Sequence, residues 1–276
     1  MNEPALIEKI KTLAAHGPQV HLGIGDDCAI HRTRSGDDQL FKIDPMIEGV
    51  HFTRAQPASI IGQRALARNL SDIAAMGGTP DLCLVSLAMP AELGETWLTD
   101  FYRGLLSLAR KTGTALAGGH LAQAKSIYCD VFVHGHVSRG QALLRSGAKS
   151  GDSLYVSGCL GKAWDGRIQP RLALGQSLLG KATACMDVSD GLSLDLRRLG
   201  LASKLAAVLE RVPIVRGATL ERALHGGEDY ELLFTLPARM DPPKGVTRIG
   251  TMVRGKAGEV HFQGKLLPPR GHDHFA

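Results

Sequence analysis

Residues 68–80 read RNLSDIAAMGGTP and end an Ala- and Leu-rich segment that starts at Ile60. No proline interrupts this segment before the closing Gly-Gly-Thr-Pro, so the sequence predicts a helix over residues 60–76 that the glycines and the proline terminate. Asp72 falls among its apolar residues, where a carboxylate is costly to bury unless something compensates its charge. Taken alone, Asp72 would also fit an exposed helix position or a local cap.

The sequence on both sides of this helix predicts a mixture of helices and strands. The first half predicts a helix over 4–15, a strand over 40–43 that runs into Asp44, a strand over 81–89, a helix over 95–111 and a strand over 126–137. The second half predicts a strand over 153–157, a helix over 170–181, a strand that ends at Asp187, a helix over 193–201 and a strand over 230–236.

The order of these elements favours two subdomains over one doubly wound sheet. Helices and strands do not alternate as regular β-α-β units, so we predict an α/β (α+β) fold with an N-terminal mixed sheet with helices and a C-terminal α/β sandwich. After Gly140 the pattern of helices and strands is interrupted by a polar turn, RSGAKSGD at residues 145–152, which precedes the next strand. We therefore place a domain boundary between residues 1–139 and residues 140–276.

The composition is that of a folded chain with a modest positive charge. The 276 residues are 44% hydrophobic and carry a net charge of +5, which allows a sizeable core. Because the basic residues are dispersed, we expect mild attraction for phosphorylated ligands, with nucleic-acid binding only a minor alternative. The N-terminus lacks a signal-peptide pattern, and no stretch approaches the ~20 apolar residues that span a bilayer. We therefore expect a cytoplasmic protein without a membrane partner.

The cysteines are each isolated among apolar neighbours, and no two of them form a C-x-x-C pair. This spacing argues against a metal cage or a disulfide framework. We therefore expect reduced, buried side chains at Cys28, Cys83, Cys129, Cys159 and Cys185.

Carboxylates recur at Gly-rich turns and strand ends. GIGDD at residues 23–27 places two of them after a flexible turn, DVSDG at 187–191 repeats the pattern after an apolar strand, and GGEDYELLF at 226–234 adds three acids beside a Gly-Gly turn. Any one of these is most simply a plain turn. Together with Asp44 and Asp72, they are better explained by hard cations such as Mg²⁺, which take oxygen ligands and bridge to phosphates.

Several familiar nucleotide and hydrolase motifs are missing from the sequence. Neither G-x-x-x-x-G-K-[ST] nor a G-x-G-x-x-G after a strand occurs, so neither a P-loop nor a Rossmann site is supported. The histidines lack zinc spacing, and there is no G-x-S-x-G elbow. A nucleotide would then be held by backbone N–H groups, with 118–119 and 189–191 as candidates. Arg145 is either a phosphate partner or a solvated surface residue.

Seven stretches occur in a fixed order along the chain. They are residues 23–27, Asp44 with EGVHF at 48–52, NLSDIAAMG at 69–77, RSGAK at 145–149, residues 187–192, residues 226–234 and DHF at 273–275. In this order they resemble the thiamine-monophosphate kinase family, of the superfamily shared with aminoimidazole ribonucleotide synthetase. The resemblance implies the two-subdomain fold of that synthetase and ATP-dependent phosphorylation of thiamine monophosphate to thiamine diphosphate. It also implies Mg²⁺ as cofactor, ATP as co-substrate and a homodimer formed through the N-terminal domains.

Motif by motif, the resemblance implies roles for individual residues. The metal ligands would be Asp27, Asp44, Asp72, Asp187 and Asp190. The nucleotide would contact Gly119, His120, Arg145 and Ser189. The phosphorylated substrate would contact His51, Glu228 and His272. The transfer would rest on positioning and charge neutralisation with no covalent enzyme intermediate, so the resemblance implies no catalytic nucleophile.

The chain departs from the family pattern at a few positions. His120 stands where the family has a metal-binding aspartate, and Lys42 and Ile43 stand where a Ser/Thr-Thr pair precedes Asp44. Imidazole is a poor Mg²⁺ ligand, and the Lys42 cation would partly replace a missing metal charge. An expected aromatic residue near the C-terminus is His272. Two alternatives stay open: a catalytically weakened relative that binds nucleotide or a phosphorylated ligand, and an enzyme for another small phosphorylated substrate.

Overall fold

The computed structural model describes residues 3–14, 17–162 and 166–272, so the DHF stretch at 273–275 lies outside the described residues. The helices are α1 (Glu3–Leu13), α2 (Ala58–Ala75), α3 (Gly94–Thr112), α4 (Leu172–Ser177), α5 (Leu192–Ser203) and α6 (Leu220–His225), with a short 3₁₀ turn at Ala91–Leu93. The strands are β1 (Val20–Leu22), β2 (Ala29–Arg32), β3 (Asp38–Ile47), β4 (Thr79–Met89), β5 (Ala115–Gln123), β6 (Tyr128–Val137), β7 (Ser153–Ser157), β8 (Ala184–Asp187), β9 (Ala206–Leu209), β10 (Leu232–Leu236), β11 (Val246–Val253), β12 (Val260–Phe262) and β13 (Lys265–Leu266).

The strands form two mixed sheets, one in each half of the chain. The first sheet has the order β1-β2-β3-β6-β4-β5, and the second has the order β13-β12-β9-β11-β7-β10-β8. Within each sheet one pair is parallel, β4 with β5 and β12 with β9, and the other pairs are antiparallel. The predicted α/β (α+β) class, with a mixed sheet and helices in the first half, is confirmed. The boundary at 139/140 falls between the last strand of the first sheet and the first strand of the second.

Helix α2 occupies a central position because it packs against both sheets. It is buried continuously from Ile61 to Ala75, and it contacts β3 and β6 of the first sheet and β8 and β10 of the second. Gly77 follows it with a φ of 70°, a left-handed conformation that glycine adopts without strain. The predicted helix over 60–76 therefore exists, and its charged residues lie between the two sheets. Among the described helices, none combines the length and apolar character that crossing a membrane requires.

Helices α2 and α3 approach so closely that their contact leaves no room for a side chain. A Cβ on Gly104 would lie 1.8 Å from the carbonyl oxygen of Ser59, and one on Gly62 would lie 2.0 Å from that of Phe101. Gly104→Ala should lower the free energy of unfolding by at least about 2 kcal/mol, because the helices must separate. Urea unfolding measures the loss. Gly17→Ala, which meets nothing within 4 Å, is the control, and equal stability of the two variants would contradict this close contact.

Several predicted elements differ from the structure in length. The strand predicted over 40–43 is β3, which spans Asp38–Ile47, so Asp44 lies within the strand and not after its end. The helix predicted over 170–181 is only Leu172–Ser177, because the chain turns through Gly180 at a φ of 69°. The strand predicted over 230–236 begins only at Leu232. Tyr230, the first residue of the predicted strand, has a φ of 52°, which is incompatible with an extended strand.

The cysteine prediction holds for all but one position. Cys28, Cys83, Cys129 and Cys185 are buried, and every cysteine is free. Cys159 is exposed, so the prediction was wrong there. It follows the end of β7, outside the sheet that would have covered its side chain.

Candidate active site

Three aspartates from distant parts of the chain meet beside helix α2, and we call them the aspartate cluster. Asp27 lies in the loop before β2, Asp72 in the last turn of α2 and Asp187 at the end of β8. Each offers a carboxylate oxygen within 4.8 Å of the others. None is more than 4% exposed, so Asp72 is not the exposed helix residue that its sequence position alone would allow. The structure thus brings three of the predicted metal ligands together.

The electrostatics of the aspartate cluster favour a bound cation. Burial raises the pKa of Asp187 to about 7, and Asp27 adds to the rise, while a hydrogen bond from Ser71 opposes it. Burial also raises the pKa of Asp72, with Lys42 opposing and Asp187 adding. Asp27 Oδ2 is buried and has no hydrogen-bond partner among the described residues. Buried carboxylates with an unsatisfied oxygen suit a hard divalent cation, which takes oxygen ligands.

The stability of the metal-free protein should depend on pH through this cluster. Because the folded-state pKa of Asp187 is about 7 against an ordinary 3.8, the stabilisation from its protonation is full below pH 3.8 and is lost as the pH rises through about 7. We expect metal-free protein to gain about 1 kcal/mol from this group between pH 8 and pH 6. Thermal unfolding in a chelator measures the gain. Asp187→Asn should remove this part of the dependence, and an unchanged dependence in that variant would contradict the assignment.

Lys42 supplies a positive charge on one side of the aspartate cluster. Its Nζ lies 2.9 Å from Asp72 Oδ1 and 3.1 Å from Asp44 Oδ1. Lys42 and Asp44 are two residues apart on β3, so their side chains leave the same face of the sheet, toward α2. Burial disfavours the charge of Lys42, but the two carboxylates outweigh it and hold its pKa well above the usual value. Asp44 is therefore close to the cluster, where it is paired with an ammonium group.

Arg145 binds the carboxylates that precede β2. Its guanidinium donates to Asp27 Oδ1 from Nη2 at 2.5 Å and from Nε at 3.1 Å, and its backbone N–H donates to the carboxylate of Asp26 at 3.2 Å. Burial raises the pKa of Asp26 to about 7, and Asp27 adds to the rise, while Arg145 opposes it. The interpretation of Arg145 as a solvated surface residue is therefore wrong. Arg145 lies beside the cluster, where a phosphate could also contact it.

The loop after β8 has a different role from the one predicted for its backbone. Asp195 Oδ2 accepts hydrogen bonds from the N–H groups of Ser189, Asp190 and Gly191 at 3.0 to 3.1 Å. The prediction that these amides cradle a phosphate is wrong, because the first turn of α5 already supplies their acceptor. Asp190 is itself 2.5 Å from Arg198 Nη1. The side chains of Ser189 and Asp190 nevertheless line the pocket that contains Asp72 and Asp187.

A second pocket adjoins the aspartate cluster and contains the residues predicted to face the phosphorylated substrate. His51, Glu228 and His272 all line it, and the rings of His51 and His272 are 6.3 Å apart. His51 Nδ1 accepts a hydrogen bond from the Ile47 backbone N–H at 3.0 Å, which fixes the orientation of its ring. The structure therefore brings the predicted substrate residues together, although His51 and His272 are 221 positions apart in the sequence.

Glu228 is held by two arginines that the sequence interpretation missed. Arg64 donates to Glu228 Oε2, Arg68 Nη1 lies 3.2 Å from Glu228 Oε1, and the Tyr230 hydroxyl donates to the same oxygen at 3.1 Å. The sequence does contain a signal for these arginines, because Arg64, Arg68 and Asp72 are spaced four residues apart and are the charged residues of helix α2. This spacing puts three charges on one face. A stripe of charged residues along a buried helix indicates a functional site between that helix and the elements packed against it.

The two pockets meet at shared walls. The residues that line both of them are Arg68, Ser189, Asp190 and Tyr230. The pocket lined by Asp44, Asp72 and Asp187, which we call the acidic pocket, and the pocket of His51 and Glu228 are therefore neighbours across a common boundary. Such an arrangement would allow ligands in the two pockets to meet beside the aspartate cluster.

Gly119 and His120 lie apart from both pockets within the described part of the chain. They belong to β5, at one edge of the first sheet, and both are exposed. His120 pairs with Ser86 of β4, so it is separated from β3 by two further strands. Their predicted contact with nucleotide remains a prediction.

Comparisons with known proteins agree with this geometry. The family described as AIR synthase related protein, N-terminal domain, matches residues 25–137. A thiamine-monophosphate kinase of Rhodopirellula baltica is 38% identical over 87% of this chain and 86% of the relative. The chain belongs to the thiamine-monophosphate kinase family. The family member of Bacillus subtilis is 34% identical over the full length of both chains.

A solved structure of the same family has a closely similar fold. AaThiL complexed with AMPPCP and TMP superposes with a TM-score of 0.89 at 31% identity, covering 99% of this chain and 97% of that one. The similarity of fold therefore extends over nearly the whole chain, including both sheets.

Proposed function

We propose that this kinase transfers the γ-phosphoryl group of ATP to the phosphate of thiamine monophosphate, giving thiamine diphosphate and ADP. The observation that carries the proposal is the shared boundary between the acidic pocket and the pocket of His51, Glu228 and His272. Donor and acceptor phosphates bound in these two pockets would meet beside Asp27, Asp72 and Asp187. The AaThiL structure, whose complex contains AMPPCP and TMP, supports one nucleotide and one thiamine-phosphate ligand in this fold.

We propose Mg²⁺ as the cation of the aspartate cluster. The buried carboxylates and the unsatisfied oxygen of Asp27 fit this ion, and Asp27, Asp72 and Asp187 would hold it. When bound, the ion would neutralise phosphate charge and polarise the transferred group. Asp44 and Asp190 were predicted as further ligands, but each is in an ion pair, with Lys42 and Arg198 respectively.

The residues of the chain would contribute positioning and charge. Arg145 and Ser189 would contact the ATP phosphates, together with Gly119 and His120 if the nucleotide extends to the edge of the first sheet. The acceptor phosphate oxygen is largely ionised at neutral pH, with a second pKa of about 6, so the transfer requires no general base. Catalysis would then depend on aligning two phosphates and balancing their negative charge.

The substrate pocket would orient thiamine monophosphate through a fixed carboxylate and two imidazoles. Glu228 cannot turn away, because Arg68 and Tyr230 hold Oε1 while Arg64 holds Oε2. A carboxylate in this position suits the cationic or hydrogen-bond-donating part of a thiamine. His51 and His272 would contact the remainder of the ligand.

We also propose that the chain consists of the domains 1–139 and 140–276 and forms a homodimer through the first. Ile43, Phe132 and Leu84 are paired in register across three neighbouring strands, on the face of the sheet opposite Lys42 and Asp44. Ile43 is 60% exposed and Leu84 is 40% exposed. A second copy would cover this apolar row, which one chain leaves in water. Light scattering should then give about twice the chain mass of 29.4 kDa.

The proposed reaction is tested by incubating purified protein with ATP, Mg²⁺ and thiamine monophosphate, and separating the products. Thiamine diphosphate and ADP in equal amounts are expected, with no phosphorylation of unphosphorylated thiamine. Nucleotide binding without thiamine diphosphate would instead identify a catalytically weakened relative. ADP formation only with another phosphorylated compound would identify a different substrate.

A further inference from the structure

The position of Lys42 divides the acidic pocket into two unlike halves. Its ammonium lies between Asp44 Oδ1 and Asp72 Oδ1, at 3.1 Å and 2.9 Å. On the other side of Asp72 lie Asp187 and Asp27, and the three aspartates bring carboxylate oxygens within 4.8 Å of one another. Asp72 therefore belongs to both halves, with one oxygen held by Lys42.

The space between Asp44 and Asp72 cannot hold an ammonium and a divalent cation together. Mg²⁺ binds oxygen at about 2.0–2.1 Å, so an ion bridging these two carboxylates would occupy the place of Lys42 Nζ. The ammonium is also well secured, because the side chain of Lys42 is only 21% exposed and both of its carboxylate partners are themselves largely covered. Moving it away would leave a buried charge without its partners, which is strongly unfavourable.

The other half also has a cation beside it, but Arg145 engages only one oxygen of Asp27. Arg145 binds Asp27 through Oδ1, which leaves Asp27 Oδ2 buried and without a hydrogen-bond partner among the described residues. Asp187 Oδ2 accepts from the neutral hydroxyl of Ser71 at 2.7 Å. The carboxylates of this half are thus compensated less fully than Asp44 is.

We propose that Lys42 acts as a built-in cation that takes the place of a divalent ion between Asp44 and Asp72. The nucleotide-free protein then binds a divalent ion at Asp27, Asp72 and Asp187, and Asp44 serves Lys42 instead of a metal. Lys42 is a positioning residue, because it holds Asp72 and carries a fixed charge toward the phosphates. This inference rests on the proposed function only for the identity of those phosphates.

The test is a titration of nucleotide-free protein with Mn²⁺, in which electron paramagnetic resonance counts the free ion. Lys42→Met, which has similar length and no charge, should bind one more Mn²⁺ per chain than the original protein does. Lys42→Arg keeps the charge and should bind no more than the original protein. Lys42→Ser, which leaves more room, should behave like Lys42→Met. An unchanged Mn²⁺ count in both uncharged variants would overturn the proposal.

A second measurement remains decisive even if the Lys42 variants fold poorly. Asp44→Asn in the original background should leave the Mn²⁺ count unchanged and the affinity within about threefold, whereas Asp187→Asn should weaken Mn²⁺ binding at least about tenfold. Loss of Mn²⁺ from Asp44→Asn would show that Asp44 is a metal ligand, against the proposal. These titrations contain neither ATP nor thiamine monophosphate. A failure of the proposed reaction would therefore leave their outcome intact, and the two failures can be told apart.

Discussion

Asp72→Asn should lower the rate of thiamine diphosphate formation by at least about a hundredfold, because it removes a charged group at the point where phosphates meet. The substitution keeps the size of the side chain, so the packing of α2 should change little. It removes both a ligand of the proposed cation and the carboxylate that is 2.9 Å from Lys42. Steady-state kinetics at saturating ATP and Mg²⁺ measures the loss, which should fall mainly on kcat.

A matched control separates this effect from the effect of replacing any aspartate in a helix. Asp100 lies on α3 and is paired with Arg103 one turn away. It lines neither of the two pockets. Asp100→Asn should retain nearly full activity. Unchanged activity in Asp72→Asn, with thermal unfolding similar to that of the original protein, would show that the aspartate cluster is not the reaction site.

Glu231→Ala should cause a large loss of stability, because it removes the acceptor at the centre of a buried network of ion pairs and hydrogen bonds. Glu231 is fully buried; it accepts from Ser157 Oγ at 2.7 Å, from Arg171 through two bonds of 2.7 Å, and from Lys162. Removing it leaves two cations and a hydroxyl without their acceptor. Because both cations are about one-third exposed and can turn toward water, we expect a loss of about 2–4 kcal/mol, at the lower side of the range for a broken buried pair.

Denaturant unfolding measures this loss, and a surface ion pair provides the comparison. Glu210 accepts from Arg248 on the exposed side of the second sheet, with both side chains at least 40% exposed. Glu210→Ala should cost less than about 1 kcal/mol, because water replaces the interaction. Equal losses in the two variants would mean that the buried network around Glu231 does not hold β7 and β10 together.

The sequence predicts the central helix and its aspartate well for physical reasons. Helix α2 is long, apolar and free of proline, and Gly77 ends it, so local signals and tertiary packing agree. Asp72 could be recognised because a carboxylate in such a helix needs compensation. The recurrence of carboxylates at turns and strand ends also pointed to a cation site. Which of these carboxylates cluster around Asp72 depends on which strand ends and loops face α2, and no local pattern specifies that.

Other features of the site depend on contacts that no local pattern specifies. The prediction for the amides of residues 189–191 failed because Asp195, in the first turn of the following helix, accepts all three. The contact of Tyr230 with Glu228 could not be predicted, because the sequence around Tyr230 has the pattern of a strand. The positive φ of Tyr230, which excludes a strand there, is visible only in the structure. Lys42 could be recognised as an added charge, but only the structure shows that it lies between Asp44 and Asp72.

The most direct test of the central claim is a crystal structure of the protein with Mn²⁺ and AMPPCP, in which anomalous scattering locates the ion. The expected result is a Mn²⁺ peak bounded by carboxylate oxygens of Asp27, Asp72 and Asp187, with the terminal phosphate of the nucleotide close to it. A structure with nucleotide bound but no anomalous peak among these three aspartates would contradict the claim that they form the metal site of a phosphoryl-transfer centre.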